Sequence, residues 1–312
     1  MPNKTMCIYH ANCVDGFTAA WVVFLALGSA VDYIPASYGD PLPEVDGCDV
    51  IVVDFSYKRK EMLELGERAN SVLVLDHHRS AADDLKGFPS PLPVVGNQEP
   101  WFAHLDGADM SAYTHGVACL FDMERSGAQI AWDFFQARMP RPQLVNYVAD
   151  RDLWRFGMLA SREISAWLGN QEQSFSHWIT CQNILEDSRL FAKAVEAGRE
   201  ISVARGRMIT DAVTASRGEM LIAGIVVPSA NVPFNMASEA GNILAADAPF
   251  AATYFDLPCG KSKFSLRSRP DGMDVQKIAK RYGGGGHVYA AGIISDKDEL
   301  QLRETTPETS KT

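Results

Sequence analysis

The apolar positions of this chain fall into short runs with little polar alternation. Met6–Tyr9, Val50–Val53 and Val72–Leu75 are unbroken, and Val31–Ala36 is interrupted by Asp32. Runs of this kind predict strands covered on both faces, as in a parallel sheet. Between them lie an apolar stretch, Phe17–Leu27, stopped by Gly28, and a charged one, Lys58–Ala69, both read as helices. The resulting strand–helix alternation predicts a parallel sheet with helices on both faces. Residues 83–112, rich in Pro, Gly and Asp, read as a long loop. Val117–Phe121 then predicts a fifth strand. Ala128–Arg138 predicts a helix N-capped by Ser126 and broken by Pro140 and Pro142, and Gln143–Ala149 another.

The pattern changes after residue 186. Apolar residues at helical spacing over 187–215 predict one long helix. Leu221–Val227, Phe250–Phe255 and Lys263–Leu266 then read as strands, Val275–Arg281 as a helix, and Gly283–His287 as a glycine turn. The expected organisation is two α/β domains: residues 1–190 with a parallel sheet, a linker helix over 191–215, and a smaller α/β domain over 216–302. A polar tail, 303–312, is expected to be disordered. A cleft between the two domains is expected to hold the substrate.

Composition narrows the function classes. The net charge of −10 argues against a general grip on long nucleic acid. Phe17–Leu27 is too short to span a bilayer, so no membrane association is expected. Six cysteines without a C-x-x-C pair suggest neither a zinc ribbon nor a disulfide framework. With no secretion signal in the first ten residues, the expected location is the cytoplasm.

The candidate chemistry sits where the strands stop. His10 and Asp15 follow the first strand, Asp54 the third, and Asp76-His77-His78-Arg79 the fourth. Asp150 and Asp152 follow directly after the helix Gln143–Ala149. In a parallel sheet those ends share one edge. Mixed carboxylate and imidazole ligands suit Mn²⁺, Fe²⁺ or Zn²⁺, and two such ions form a phosphoryl-transfer site. Farther on, residues 261–281 hold seven basic side chains against two acidic ones, ahead of a glycine run whose amides can cradle an anion. Trp154, Trp167 and Trp178 read as core, with base stacking as the alternative.

His10–Ala20 (HANCVDGFTAA), Asp54, Asp76-His77-His78, Asp150–Trp154 (DRDLW) and Gly284-Gly285-Gly286-His287 resemble the ordered motifs of the DHH phosphoesterase superfamily. The last of them is similar to the DHH-associated C-terminal domain of nano-RNases, RecJ-type nucleases and cyclic-dinucleotide phosphodiesterases. The resemblance implies one metal on His10, the first acidic position of motif one, and Asp54. It implies a second on Asp15, bridging Asp54, His77 and the fourth-motif aspartate, for which Asp152 is preferred over Asp150. Asp76 is expected to orient His77, with His78 and Arg79 facing the scissile phosphate. Arg267, Ser268, Gly284, Gly285, Gly286 and His287 are expected to bind substrate. One departure stands out: Cys13 occupies the first acidic position, where a thiolate favours a softer ion, Asn12 or a water can replace it, or Cys13 is simply a small buried side chain.

The expected activity is metal-dependent phosphodiester hydrolysis of short oligonucleotides, nano-RNA or linear dinucleotides, to mononucleotides. The cofactor is a divalent metal, Mn²⁺ first, with Fe²⁺, Co²⁺ and Zn²⁺ as options. The alternatives are a nucleotide phosphomonoesterase or polyphosphatase, and a nucleotide-binding protein with weakened catalysis. The expected partner is a short oligonucleotide or small nucleotide; a homodimer is left open.

Overall fold

In the computed structural model the described residues are 4–91 and 116–303. They form two compact units that divide between Ser202 and Val203. The first unit runs through β1 (Thr5–His10), α1 (Val14–Leu27), β2 (Asp32–Ala36), β3 (Asp49–Val53), α2 (Arg59–Arg68), β4 (Ser71–Asp76), α3 (Arg79–Asp84) and β5 (Val117–Phe121). Helices α4 (Gly127–Phe135), α5 (Gln143–Asp152), α6 (Ser161–Leu168) and α7 (Phe175–Glu186) follow, and then the long α8 (Ser188–Ser216), which passes the division. The strands are all parallel, in the order β2-β1-β3-β4-β5.

The absence of polar alternation now has its cause. Ile51, Val53, Leu73 and Leu75 enter a core shared with α1 and α4, while Val50, Val52, Val72 and Val74 enter a second core with Met62 and Leu65 of α2. Each such aliphatic side chain, once buried, contributes about 1.5–3 kcal/mol. Helix α1 stops where predicted, because Gly28 adopts φ 77° and its amide closes on Phe24 O. Ser126 caps α4 reciprocally with Gln129.

Three short helices, α3, α6 and α7, were not anticipated by the hydrophobic pattern. The stretch read as a loop over 83–112 begins inside α3, and its residues 92–112 lie outside the described residues, as does the tail from 304.

The second unit contains β6 (Arg217–Ile222), β7 (Ile225–Asn231), α9 (Ala237–Leu244), β8 (Ala251–Asp256), β9 (Ser262–Arg267), α10 (Val275–Arg281), β10 (Gly285–His287), β11 (Ala290–Ser295) and β12 (Gln301–Arg303). They make a mixed seven-stranded sheet, β10-β11-β9-β8-β7-β6-β12, in which only β7 and β8 pair in parallel among the described residues. The predicted single strand Leu221–Val227 is two strands. Ala223 and Gly224 turn between them with φ 52° and 83°, and Ile222 pairs with Ile225. This is the two-residue hairpin geometry that needs positive φ at both positions; alanine at the first of them hides the turn in an apolar run.

The glycine run also differs from expectation. Gly285–His287 is a strand paired with Ala290–Gly292, and the amides of Gly283 and Gly284 donate to Lys280 O and Ala279 O at the end of α10. A side chain at Gly284 would place Cβ 2.1 Å from Gly292 O. These glycines therefore let a helix end and two strands close on one another, and those two amides are not an anion nest.

Candidate functional site

The chain grows from β1 to one side through β2, then crosses to β3 and continues the other way. Strand order thus reverses between β1 and β3, and in open sheets of this kind ligands bind beyond the carboxyl ends at such a reversal. His10 closes β1, Asp54 follows β3, and Asp76 closes β4 with His77 and His78 behind it.

Asp54 is the centre. Its backbone is left-handed, φ 54°, a conformation that costs a non-glycine residue on the order of 1 kcal/mol or more. Its amide still donates to Leu75 O at 2.9 Å, so β4 carries it to the sheet's edge. Around its carboxylate stand His77 Nε2 at 3.0 Å, the donating Cys13 thiol at 3.4 Å and His10 Nδ1 at 3.5 Å. His77 Nε2 also lies 3.5 Å from Asp152 Oδ2 and 3.9 Å from Asp15 Oδ2. Phe55, fully buried, stacks beneath the His10 ring, and half-exposed Tyr38 meets both edge-on or tilted.

Asp15 shows how a distant helix completes the crowd. Its two oxygens accept from the amides of Gly127 at 2.6 Å and Ala128 at 3.1 Å, the first turn of α4. A helix N-terminus favours such an anion. Gly127 also passes so close to Asp54 that a Cβ there would sit 2.5 Å from Asp54 Cβ; at Gly16 it would sit 2.7 Å from His10 Cβ. Neither glycine was among the sequence-named residues. The Ser-Gly pair opening α4 was visible as a cap, but its approach to Asp54 is a tertiary fact.

The donor set fits a cation. Three groups, His10/Cys13/Asp54, Asp15/His77/Asp152 and Asp54/Asp76/His77/His78, each hold their ligand atoms within 4.8 Å of one another. His10 Nδ1, Asp54 Oδ1 and Asp76 Oδ2 are buried with no well-directed hydrogen bond among the described residues. Buried polar atoms are seldom left so, and a positive ion at the crowd would satisfy them. The protonation balance points the same way. Burial and the charges of Asp54 and Asp152 push the Asp15 carboxyl well above its usual range. Burial opposes a charge on His77, yet Asp152, Asp54 and Asp15 outweigh it and raise the imidazole well above its ordinary value. Burial likewise opposes ionisation of Asp54, and the imidazoles of His10 and His77 outweigh it.

One placement differs from expectation. Asp76 Oδ1 accepts from His78 Nδ1 at 2.7 Å and from both backbone amides of His77 and His78, so it orients His78 rather than the His77 ring. The reason is local: a strand-end carboxylate folds back onto the next two amides. Asp150 stays outside the crowd. Its carboxylate accepts from the amides of Gly157 at 3.0 Å and Met158 at 3.1 Å and from Ser161 Oγ, pinning the turn after α5. Arg79 is the exposed first residue of α3 and makes no ion pair among the described residues.

In the second unit Arg267 lies against α9. Its guanidinium donates to Ser238 Oγ and Leu266 O, both at 2.8 Å, and Gly241 leaves room for its stem, where a Cβ would meet Arg267 Cγ at 2.7 Å. Ser268 is buried, with its hydroxyl donating to Met273 O at 2.6 Å. His287 ends β10, paired with Ala290, and Gly286 beside it has φ 140°.

No protein-family model matches the chain. An uncharacterised protein, R106, of Acanthamoeba polyphaga mimivirus is 27% identical over 312 residues, 92% of this chain and 66% of that protein. A stretch of 65 residues, 21% of this chain, is 47% identical to oligoribonuclease NrnB of Bacillus subtilis, over 16% of its length. A stretch of 63 residues, 20% of this chain, is 38% identical to the bifunctional oligoribonuclease and PAP phosphatase NrnA of Mycoplasma pneumoniae, over 19% of its length. The chain thus spans just under two thirds of the first relative and under a fifth of the other two. Among solved structures, the DHH domain of a member of a ribosomal-protein family matches 95% of this chain and 84% of its own, with TM-score 0.51 and 14% identity. That likeness is one of fold. No helix among the described residues is long and apolar enough to cross a membrane.

Proposed function

We propose that this chain, which has the fold of the DHH-domain proteins, is a metal-dependent phosphoester hydrolase acting on short oligonucleotides. The observation that carries the reading is the crowd at the reversal of strand order: Asp15, Asp54 and Asp152 around His77, with His10 and Cys13 alongside and buried polar atoms lacking a well-directed hydrogen bond among the described residues. The relatives named oligoribonucleases support the substrate class without establishing it.

Divalent cations, Mn²⁺ first, held by His10, Cys13, Asp15, Asp54, His77 and Asp152, would supply an activated water and neutralise phosphate charge. The remaining work falls to the chain. Asp76 fixes the His78 ring through Nδ1, which directs Nε2 to the phosphate side as the group that holds or returns a proton. Arg79, exposed next to it, adds positive charge toward the phosphate. Asp15, anchored by the amides of α4, keeps the carboxylates from spreading as charge changes. Arg267, Ser268 and the glycine-rich segment to His287 serve substrate recognition, Arg267 as the phosphate-facing cation and Ser268 as the residue that shapes its turn.

A second reading, hydrolysis of a nucleotide phosphomonoester, is kept because one relative is named as both oligoribonuclease and PAP phosphatase. One experiment separates the two. Labelled two- to ten-mers, linear and cyclic dinucleotides and nucleotide monophosphoesters are incubated with Mn²⁺, and products are identified. Turnover of two- to five-mers, falling with length, supports the proposal. Monoester turnover alone moves the assignment to the second reading. No turnover with Mn²⁺, Fe²⁺, Co²⁺ or Zn²⁺ overturns both and leaves a binding protein.

A further inference from the structure

Of the tryptophans near the fourth motif, Trp178 is fully buried and Trp167 nearly so, but Trp154 is 39% exposed. It belongs to a stack in which two adjacent rings lie between two guanidinium groups. The Arg151 Cζ lies 4.3 Å over the Trp154 ring, Trp154 meets Phe156 edge-on at 5.0 Å, and Arg162 Cζ caps Phe156 at 3.9 Å. We propose that this turn, Trp154 to Arg162, is a stacking platform that binds one base and the adjoining phosphate of a single-stranded oligonucleotide. The proposal rests on the substrate reading above and names a place for the strand that the motif residues do not supply.

Four observations converge on it. First, the turn is held rigidly. Asp150 O accepts from the amides of Arg155 and Phe156, and the Asp150 carboxylate from those of Gly157 and Met158. Second, Trp154, Phe156 and Ala160 stand at φ 56°, 50° and 53°, where side-chain-bearing residues are strained. Burial of an exposed tryptophan gives little to offset that strain, so the fold spends it on presenting the ring. Third, Arg162 is exposed and makes no ion pair among the described residues, and Arg155 is exposed beside Glu124. In a chain of net charge −10 such a basic edge is local. Fourth, the turn begins two residues after Asp152, itself 3.5 Å from His77, so it lies next to the candidate metal ligands in the chain.

A flat exposed ring with oriented guanidinium groups suits a nucleobase, which every nucleotide offers, with the cation taking the phosphate. A merely structural role, tying α5 to α6, would need neither the exposure of Trp154 nor that of Arg162.

The test reads binding alone. Fluorescence anisotropy of a 5′-labelled five-nucleotide RNA is measured in EDTA at several salt concentrations, with thermal unfolding checked for each variant. Trp154→Ala is expected to weaken binding about tenfold with its salt slope unchanged, and Trp154→Tyr to restore it to within about threefold. Arg162→Ala, an exposed substitution, is expected to flatten the plot of log affinity against log salt by about 0.7. Binding by Trp154→Ala and Arg162→Ala within twofold of wild type, no binding by wild type, or no rescue by tyrosine overturns the platform. A chain that binds through Trp154 yet hydrolyses nothing keeps the platform and loses the hydrolase reading. A chain that hydrolyses oligonucleotides while both variants bind normally does the reverse.

Discussion

The edge of the parallel sheet and the arginine–glycine region of the second unit look alike as sequence: both gather charged, histidine and glycine residues in short motifs. Their structures differ in how far the protein satisfies its own groups. At the sheet edge three carboxylates face one imidazole, Asp54 sits in a strained backbone, and buried donor atoms lack a well-directed partner among the described residues. In the second unit Arg267 is held by Ser238 and Leu266 O, Ser268 by Met273 O, and the glycine amides by α10. On the proposed reading, the first region is where a cation would be held. The second is a finished framework that offers a positive surface. On the proposed reading, the first does the chemistry and the second holds the reactant.

The largest expected effect tests the incomplete region. Asp54→Ala should lower kcat on a dinucleotide by more than a hundredfold, about 2.7 kcal/mol of lost stabilisation, with the fold intact by circular dichroism. A variant keeping a tenth of the wild-type kcat would remove Asp54 from the centre. Next come two glycines that separate the regions. Gly127→Ala and Gly284→Ala each force a Cβ into contact, with Asp54 Cβ at 2.5 Å and Gly292 O at 2.1 Å. Both should lose about 1–3 kcal/mol of stability in denaturant titrations. Only Gly127→Ala should also lose bound metal, as read by elemental analysis. Metal loss in both would erase the distinction.

Arg267→Ala should raise KM for a dinucleotide about tenfold while kcat and metal content stay near wild type. Unchanged KM would return the arginine to a packing role. The smallest effect is at Cys13, whose thiol lies beside Asp54. Cys13→Asp should shift relative affinity several-fold from Zn²⁺ toward Mn²⁺, since carboxylate is the harder ligand. The Co²⁺ form of the unaltered protein should show a thiolate charge-transfer band that Cys13→Asp lacks. Identical spectra would show that the sulfur stays off the metal.

The sheet edge was legible because unbroken apolar runs admit few interpretations. A run buried on both faces is a parallel strand, and polar residues at its end have one edge to occupy. His10, Asp54, Asp76 and His77 follow from that logic. What escaped was set by approach through space. Gly127 must be small because Asp54 lies against it, although 73 positions separate them. The partner of Asp76 depends on which amides a strand-end carboxylate can reach. In the second unit an alanine in a hairpin turn erased the boundary between β6 and β7, and a glycine run that suggested a loop proved to be backbone needed at close quarters.

The bond between Asp15 and the amide of Gly127, across 112 residues, bears on how the protein comes into being. No unfolded chain holds residues 10 to 152 near one another, so a cation has nothing to gather before the sheet and α4 are in place. The helix amides fix the position of Asp15 in the folded chain, so on the proposed reading the native fold would form first and take up metal afterwards. On that reading, metal would act chiefly as a ligand of the native state. At a hundred times its dissociation constant it adds about 2.7 kcal/mol to the unfolding free energy. The melting temperature should climb with metal concentration and fall back under a chelator, while the chelated protein stays folded at ambient temperature.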